Sequence, residues 1–403
     1  MTRRPAFALL LLLALLLLAG AWLLARPDRS GEPRASLSVA GALRGANPAD
    51  TTGFARALEP REFRFPEDHG PHPKFRTEWW YYTGNLATRE GRRFGFQLTF
   101  FRSALAAQAP ERESDWAASQ VYLAHFALSD VDREGGETFH SFERWSRGAL
   151  GLAGAQASPF RVWLKDWSAE AAASPAGAPG STGTPVQRLR AAQGGVGIDL
   201  QLQPGKPIVL QGDRGLSQKS AGEGNASYYY SLTRMPAAGT LQVGGERFQV
   251  AGLAWMDREW STSSLGESQV GWDWFALQLA DGHDLMLYRL RREDGTADPA
   301  SKGTWIGPAG ASRTLRLADF RLEDLEFWTS PDSGARYPSR WRIRVPSEGL
   351  DLEVSPLLAD QELDVSFLYW EGAVEVRGTR RGQPVTGRGY VELTGYADTV
   401  GGS

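Results

Sequence analysis

Glu78-Trp79-Trp80-Tyr81-Tyr82-Thr83-Gly84-Asn85-Leu86 decides how this chain is read, because a degraded copy returns 181 residues later. Glu78-Trp79 matches Glu259-Trp260, and Phe94-Gly95-Phe96-Gln97-Leu98 matches Phe275-Ala276-Leu277-Gln278-Leu279 at the same offset. Two segments that agree in letters and in spacing indicate two related halves. The two Glu-Trp pairs then read as the entrances of two homologous β units, each setting a carboxylate against aromatic rings.

The segments around this repeat carry the pattern of strands. Phe94–Arg102 is β-rich and alternates, with Gln97 and Phe101 on one face and Leu98, Phe100 and Arg102 on the other. Val121–Leu128, Phe160–Trp167, Gly197–Leu202 and Tyr228–Thr233 continue the pattern. Thr240–Val243, Gly244-Gly245 and Glu246–Val250 read as a hairpin with a two-residue turn, and Trp272–Leu279 with Asp284–Leu290 as a second. Short strands with frequent turn signals predict an all-β chain of sandwiches or barrels. The expected organisation is a signal or anchor over 1–26, a tether over 27–60, and β domains over 61–238 and 239–398.

Arg3 and Arg4 precede an apolar, Leu-rich run from Pro5 to Ala25. A secretory signal has an apolar core of about 7–15 residues and a spanning helix about 20. The run fits a cleaved signal or an uncleaved anchor, and either one exports the rest of the chain. The expected location is periplasmic, inner-membrane anchored or secreted. Cysteine is absent, which excludes disulfides, a thiol nucleophile and Cys-based zinc sites. Net charge is −3 with dispersed Lys and Arg, so nucleic acid is not an expected partner. The expected partners are a hydrophobic small molecule and, through residues 5–25, the membrane; no transport complex is specified. Histidine spacing gives no metal motif, and no cofactor motif is present.

Asp257 and Glu259 stand two apart in Trp255-Met256-Asp257-Arg258-Glu259-Trp260. On a strand, that spacing places both on one face, where crowding raises the pKa of one and suits it to act as an acid. A salt-bridged strand end is the competing reading. His125 lies within a strand and is either a core residue or a proton carrier. Gln97 and Gln278 are polar residues in apolar strands, fit for a structural hydrogen bond or a ligand contact. No Gly-x-Ser-x-Gly elbow, dinucleotide loop or P-loop occurs.

Together with Tyr369–Val376 and Gly387–Tyr396, these motifs resemble the lipocalin-like secreted hydrolase family related to the carotenoid 1,2-hydratases (hydroxyneurosporene synthases). The resemblance spans about residues 60–397 and implies two tandem lipocalin-like (calycin) β-barrels. Its hydratase branch implies an Asp acid in a Tyr-x-Asp motif, with a His-x-Trp pair beginning 29 residues earlier. Asp257 falls on the acid, Trp255 replaces the Tyr, and Tyr228 and Tyr230 replace the His and Trp. The implied catalytic set is Asp257, Tyr228, Tyr230 and Glu259. The candidate ligand contacts are Glu78, Trp79, Trp80, Tyr82, Gln97, His125, Trp255, Trp260, Trp274 and Gln278. Three readings follow: an exported carrier of a lipid or isoprenoid ligand; a hydratase or isomerase acting on an apolar alkene through Asp257; and, from the family label, a hydrolase, which no nucleophile–base set in the sequence supports.

Overall fold

The computed structural model describes residues 51–108, 118–135, 138–172, 184–262, 265–266 and 268–397. The expected signal or anchor and most of the expected tether lie outside them. Thr51–Pro60 is not a free tether: Ala57 is buried in the first core, and the Tyr228 hydroxyl donates to Glu59 O at 2.9 Å.

The described chain is all-β. Its first thirteen strands are β1 (Thr77–Ala87), β2 (Arg93–Ala104), β3 (Gln120–Asp130), β4 (Phe139–Arg147), β5 (Ala153–Gln156), β6 (Arg161–Leu164), β7 (Trp167–Ala171), β8 (Gln187–Gln193), β9 (Val196–Leu202), β10 (Val209–Leu210), β11 (Leu216–Gln218), β12 (Ala226–Val243) and β13 (Glu246–Ser261). They form one antiparallel sheet in the order β4-β3-β2-β1-β13-β12-β9-β8-β7-β6-β5. The sheet curls until β6 lies against β2, β3 and β4. The second sheet contains β14 (Gln269–Leu279), β15 (Asp284–Arg292), β16 (Lys302–Ile306), β17 (Ser312–Arg316), β18 (Arg321–Thr329), β19 (Arg336–Val345), β20 (Leu350–Pro356), β21 (Glu362–Asp364), β22 (Leu368–Arg380) and β23 (Gln383–Thr394). Its order is β17-β16-β15-β14-β23-β22-β20-β19-β18. Each sheet wraps an apolar core of its own, which makes two barrels.

The hairpin at Gly244-Gly245 forms as the sequence predicts, with φ of 61° and 81° at the two glycines. These angles are the left-handed pair that a two-residue hairpin requires. Its consequence differs from the expected domain plan. β12 runs unbroken through residues 238 and 239, and β13 returns along it to pair with β1. The change of sheet falls between Ser261 and Gln269. Glu259-Trp260 is therefore no entrance to the second barrel. It lies beside its own copy, with Glu78 opposite Trp260 and Trp79 opposite Glu259.

Strand alternation gives the central strands two working faces. Trp80 and Tyr82 of β1, Phe96, Leu98 and Phe100 of β2, and Ala254, Met256 and Trp260 of β13 fill the first barrel. Their sequence neighbours point outward, to the second barrel. Tyr81, Tyr229 and Trp255 meet Trp274, Met286, Tyr288 and Tyr390 there in a further apolar cluster. Polar contacts fix the alignment. Asn85 Nδ2 donates to Gly389 O at 2.9 Å, and Ser129 Oγ to Gln361 Oε1 at 2.7 Å.

Asp284 is the charged centre of this interface. It is fully buried and accepts from Thr233 Oγ1 at 2.8 Å, while Arg234 and Lys206 approach it at 2.6 and 2.7 Å. Removing one partner of a buried pair costs about 3–5 kcal/mol, because the charge left behind is uncompensated. Asp284→Asn should lower stability to urea by an amount of that order, whereas Asp213→Asn, at an exposed pair, should have little effect. Equal unfolding midpoints for the two variants would contradict the role given to Asp284.

Candidate active site

The outward faces of the two barrels do not close on each other everywhere. They leave a cleft of about 520 Å³. Trp79, Tyr81, Phe101 and Tyr229 line it from the first barrel, and Trp272, Trp274, Tyr288 and Tyr369 from the second. Four carboxylates stand in this aromatic wall: Asp257, Glu259, Glu371 and Glu392. Among the described residues no group of three or more His, Cys, Asp or Glu is placed to hold a metal ion.

Asp257 is 3% exposed. β12 and β13 place it opposite Ser231, whose Oγ donates to Asp257 Oδ1 at 2.5 Å. Trp255 Nε1 donates to the same oxygen at 2.7 Å. The Tyr229 hydroxyl is bonded to Oδ2 and in turn accepts from Trp274 Nε1 at 3.2 Å. Burial pushes the Asp257 carboxyl up to about 7, the three donors oppose the rise, and Glu259 adds to it. Asp257 therefore exchanges its proton near neutral pH, as a general acid must. Glu259 faces the same way and pairs with Lys219 Nζ at 2.9 Å. The ammonium lies over the rings of Tyr229 and Tyr288, 5.1 and 4.6 Å from their centroids.

The second barrel supplies another pair. Glu371 of β22 stands opposite Glu392 of β23. Burial drives Glu371 well above the carboxylate range and Glu392 adds to the effect, while Tyr81 and Tyr369 oppose it. Burial also pushes Glu392 up to about 8, against a 2.9 Å hydrogen bond from Trp272 Nε1, with Asp257 and Glu259 raising it further. The two carboxylate pairs thus share one low-dielectric space.

Alternation sorts the residues expected from the sequence. Asp257, Glu259, Trp79, Gln97 and Trp274 line the cleft together. Tyr228 and Tyr230 do not, although the sequence comparison grouped them with Asp257. They flank Tyr229 and point into the first barrel, where Tyr230 meets His69 at 2.6 Å. Tyr229, whose side chain lies on the Asp257 face, is the residue that reaches the acid. Trp80, Tyr82 and Trp260 are core residues of the first barrel for the same reason. Glu78 is buried between Arg102 and Arg258, away from the cleft. Trp255 supports Asp257 from behind, and Gln278 bonds Thr233 O and Ala254 O at 2.7 and 3.1 Å. His125 lies behind the wall, with Nδ1 2.8 Å from the Tyr369 hydroxyl and Nε2 3.2 Å from Glu143.

Sequence reasoning missed Tyr229, Ser231, Lys219, Tyr288, Glu371 and Glu392. Tyr229 and Ser231 were within reach, since each is one residue from a named tyrosine and differs only in the face it presents. Glu371 and Glu392 sit inside motifs already noted, but their pairing depends on the register of β22 against β23, which neither motif contains.

An aromatic, acid-bearing cleft between two β-barrels defines the molecule's class. A family profile described as AttH-like matches residues 56–396, and the chain belongs to that family. It is similar to a Nitrosomonas europaea protein described as an AttH, with 34% identity over 85% of this chain and 100% of that one and a TM-score of 0.73. It shares the fold of kievitone hydratase from Nectria haematococca, with 16% identity, 86% of this chain and 98% of that one covered, and a TM-score of 0.62. A search of curated proteins finds no match.

Proposed function

We propose that this protein adds water across a branched apolar alkene, with Asp257 as the proton donor. The observation that carries the reading is the Asp257 carboxyl, buried, poised at about 7 and facing an aromatic cleft. Ser231 and Trp255 both donate to Oδ1, whereas Oδ2 meets only the Tyr229 hydroxyl, so on this reading Oδ2 carries the acidic proton. Oδ2–H gives that proton to the less substituted alkene carbon, and positive charge develops on the more substituted one. The faces of Trp79 and Trp274 favour this charge, as aromatic faces favour any cation. Water attacks the cation, and its second proton passes to Glu259, on the same strand face as Asp257. Transfer between the two carboxyls restores the acid. Acyclic isoprenoids, including carotenoid end groups, have alkenes of this kind. The fold shared with kievitone hydratase supports the reading at the level of architecture, and the apolar run at 5–25 supports export.

The test is hydration of a panel of acyclic isoprenoid alkenes in oxygen-18 water. One labelled oxygen per product is expected, read by mass spectrometry. The donor must be protonated, so kcat/KM should fall as pH rises through about 7, the value to which Asp257 is raised. A rate that rises across the same interval would exclude Asp257 as the acid.

One feature favours a second reading. Both Asp257 oxygens are already hydrogen bonded within the protein, as suits a structural carboxyl. On that reading the cleft stores an apolar ligand without changing it. Tight binding of the isoprenoids with no label incorporated would select this alternative.

A further inference from the structure

Where β2 of the first barrel meets β22 of the second, the cleft presents buried polar atoms that close no hydrogen bond within the chain. Glu371 is fully buried and lines the cleft; Tyr81 and Tyr369 stand beside its carboxyl, but neither oxygen closes a hydrogen bond of ordinary geometry with them. Gln97 is also fully buried and lines the cleft; its Nε2 donates to Thr99 Oγ1 at 2.5 Å, and its Oε1 has no partner.

The polarity of Tyr369 is set from behind. Burial, opposed by Glu143, pushes His125 down and keeps its imidazole neutral. Against burial, hydrogen bonds from His125 and Ser366 hold Glu143 below the usual carboxylate range, so it is an acceptor. Nε2 of His125 therefore carries the proton toward Glu143, and Nδ1 accepts the Tyr369 hydroxyl at 2.8 Å. Only the lone pairs of the Tyr369 oxygen remain for the cleft. A buried polar group without a partner costs about 1–3 kcal/mol. Several on one wall mark a place where a ligand supplies the donors.

We propose that this wall binds the hydroxyl end of an amphipathic ligand, an apolar alkene that carries a neutral hydrogen-bond donor. This rests on the hydratase reading for its catalytic end and names the substrate class for the same cleft. A neutral Glu371 carboxyl offers one donor and one acceptor, and a hydroxyl offers the same in return. The aromatic walls then hold the apolar part between Glu371 and Asp257.

Trp79, Trp272 and Trp274 line the cleft, so the full-length protein reports binding through its own fluorescence. Farnesol, its methyl ether and farnesylamine are the probes. Farnesol should bind about tenfold or more tighter than the ether, the scale of one buried hydrogen bond. Glu371→Leu should abolish that preference, and Glu371→Gln, which keeps a neutral donor and acceptor, should retain it. Equal affinities in the wild type, a preference that survives Glu371→Leu, or tighter binding of the amine than of the alcohol would each overturn the proposal. If the preference is present but no alkene is hydrated, this wall stands and the catalytic reading fails. If farnesol and its ether bind and are hydrated equally well, the catalytic reading stands and this one fails.

Discussion

Glu78→Ala should destabilise the first barrel by about 3–5 kcal/mol, the scale of a buried charge left without its partner. Folded domains have only about 5–15 kcal/mol in hand, so the variant is expected to unfold at low urea or during expression. Glu78, Arg102 and Arg258 are each fully buried, and the carboxylate joins both guanidinium groups. Arg258 also lies over the rings of Trp80 and Trp260, 3.9 and 5.1 Å from their centroids, and donates to Gly70 O at 2.6 Å. Glu78 accepts the His72 N–H at 3.0 Å, and the His72 ring stacks on Trp260 at 3.7 Å. Alanine leaves two guanidinium charges in the protein interior and frees the segment that covers this end of the barrel.

The same site has a definite pH signature. Despite burial, Arg258, His72 and Arg102 hold the Glu78 carboxyl well below the usual range. A carboxyl with a depressed folded value stabilises the fold fully above its unfolded value, about 4.3. That stability is lost progressively as pH falls below this value toward the folded one. Urea midpoints of the wild type should therefore fall steeply below about pH 4. A wild-type urea midpoint that does not change between pH 5 and pH 3, or an alanine variant with the wild-type midpoint, would show that the ion pairs do not hold the barrel.

Asp257→Asn should have the opposite character, lowering kcat/KM for alkene hydration by about 10²- to 10⁴-fold, the range for loss of a general acid. The fold should survive. An amide oxygen still accepts from Ser231 and Trp255, and the amide nitrogen donates to the Tyr229 oxygen. No charge is left unpaired, since burial favours the neutral Asp257. Urea unfolding within about 1 kcal/mol of wild type, with the rate lost, is the expected pair of results. A variant that hydrates alkenes at the wild-type rate removes Asp257 from the mechanism.

The class of fold was legible because it depends on period. Alternation in Phe94–Arg102 and the Gly244-Gly245 turn each specify local β geometry without reference to the rest of the chain. The 181-residue repeat was legible as letters but not as topology. Only the pairing of β13 with β1 reveals that Glu259-Trp260 belongs to the first barrel. In the site, Asp257 and Glu259 were found from their i, i+2 spacing, which fixes a face. Tyr228 and Tyr230 came from the motif spacing that the family resemblance implies and fell on the opposite face, since a one-residue step reverses direction on a strand. Glu371 and Glu392 required cross-strand register, and Lys219 required the path of a loop. These are long-range facts with no local signature.

The strand Glu246–Ser261 has a consequence for how the protein can change. Its even positions, Met256, Arg258 and Trp260, are committed to the barrel interior, and its odd positions, Asp257 and Glu259, to the cleft. Substitution and insertion therefore have unequal outcomes here. Replacing an odd residue alters the wall of the cleft and leaves the interior packing in place. Inserting one residue between Met256 and Trp260 exchanges the two sets, moving a tryptophan into the cleft and a carboxylate into the apolar centre. Substitution can thus reshape the cleft one odd position at a time, while the length of this strand stays fixed.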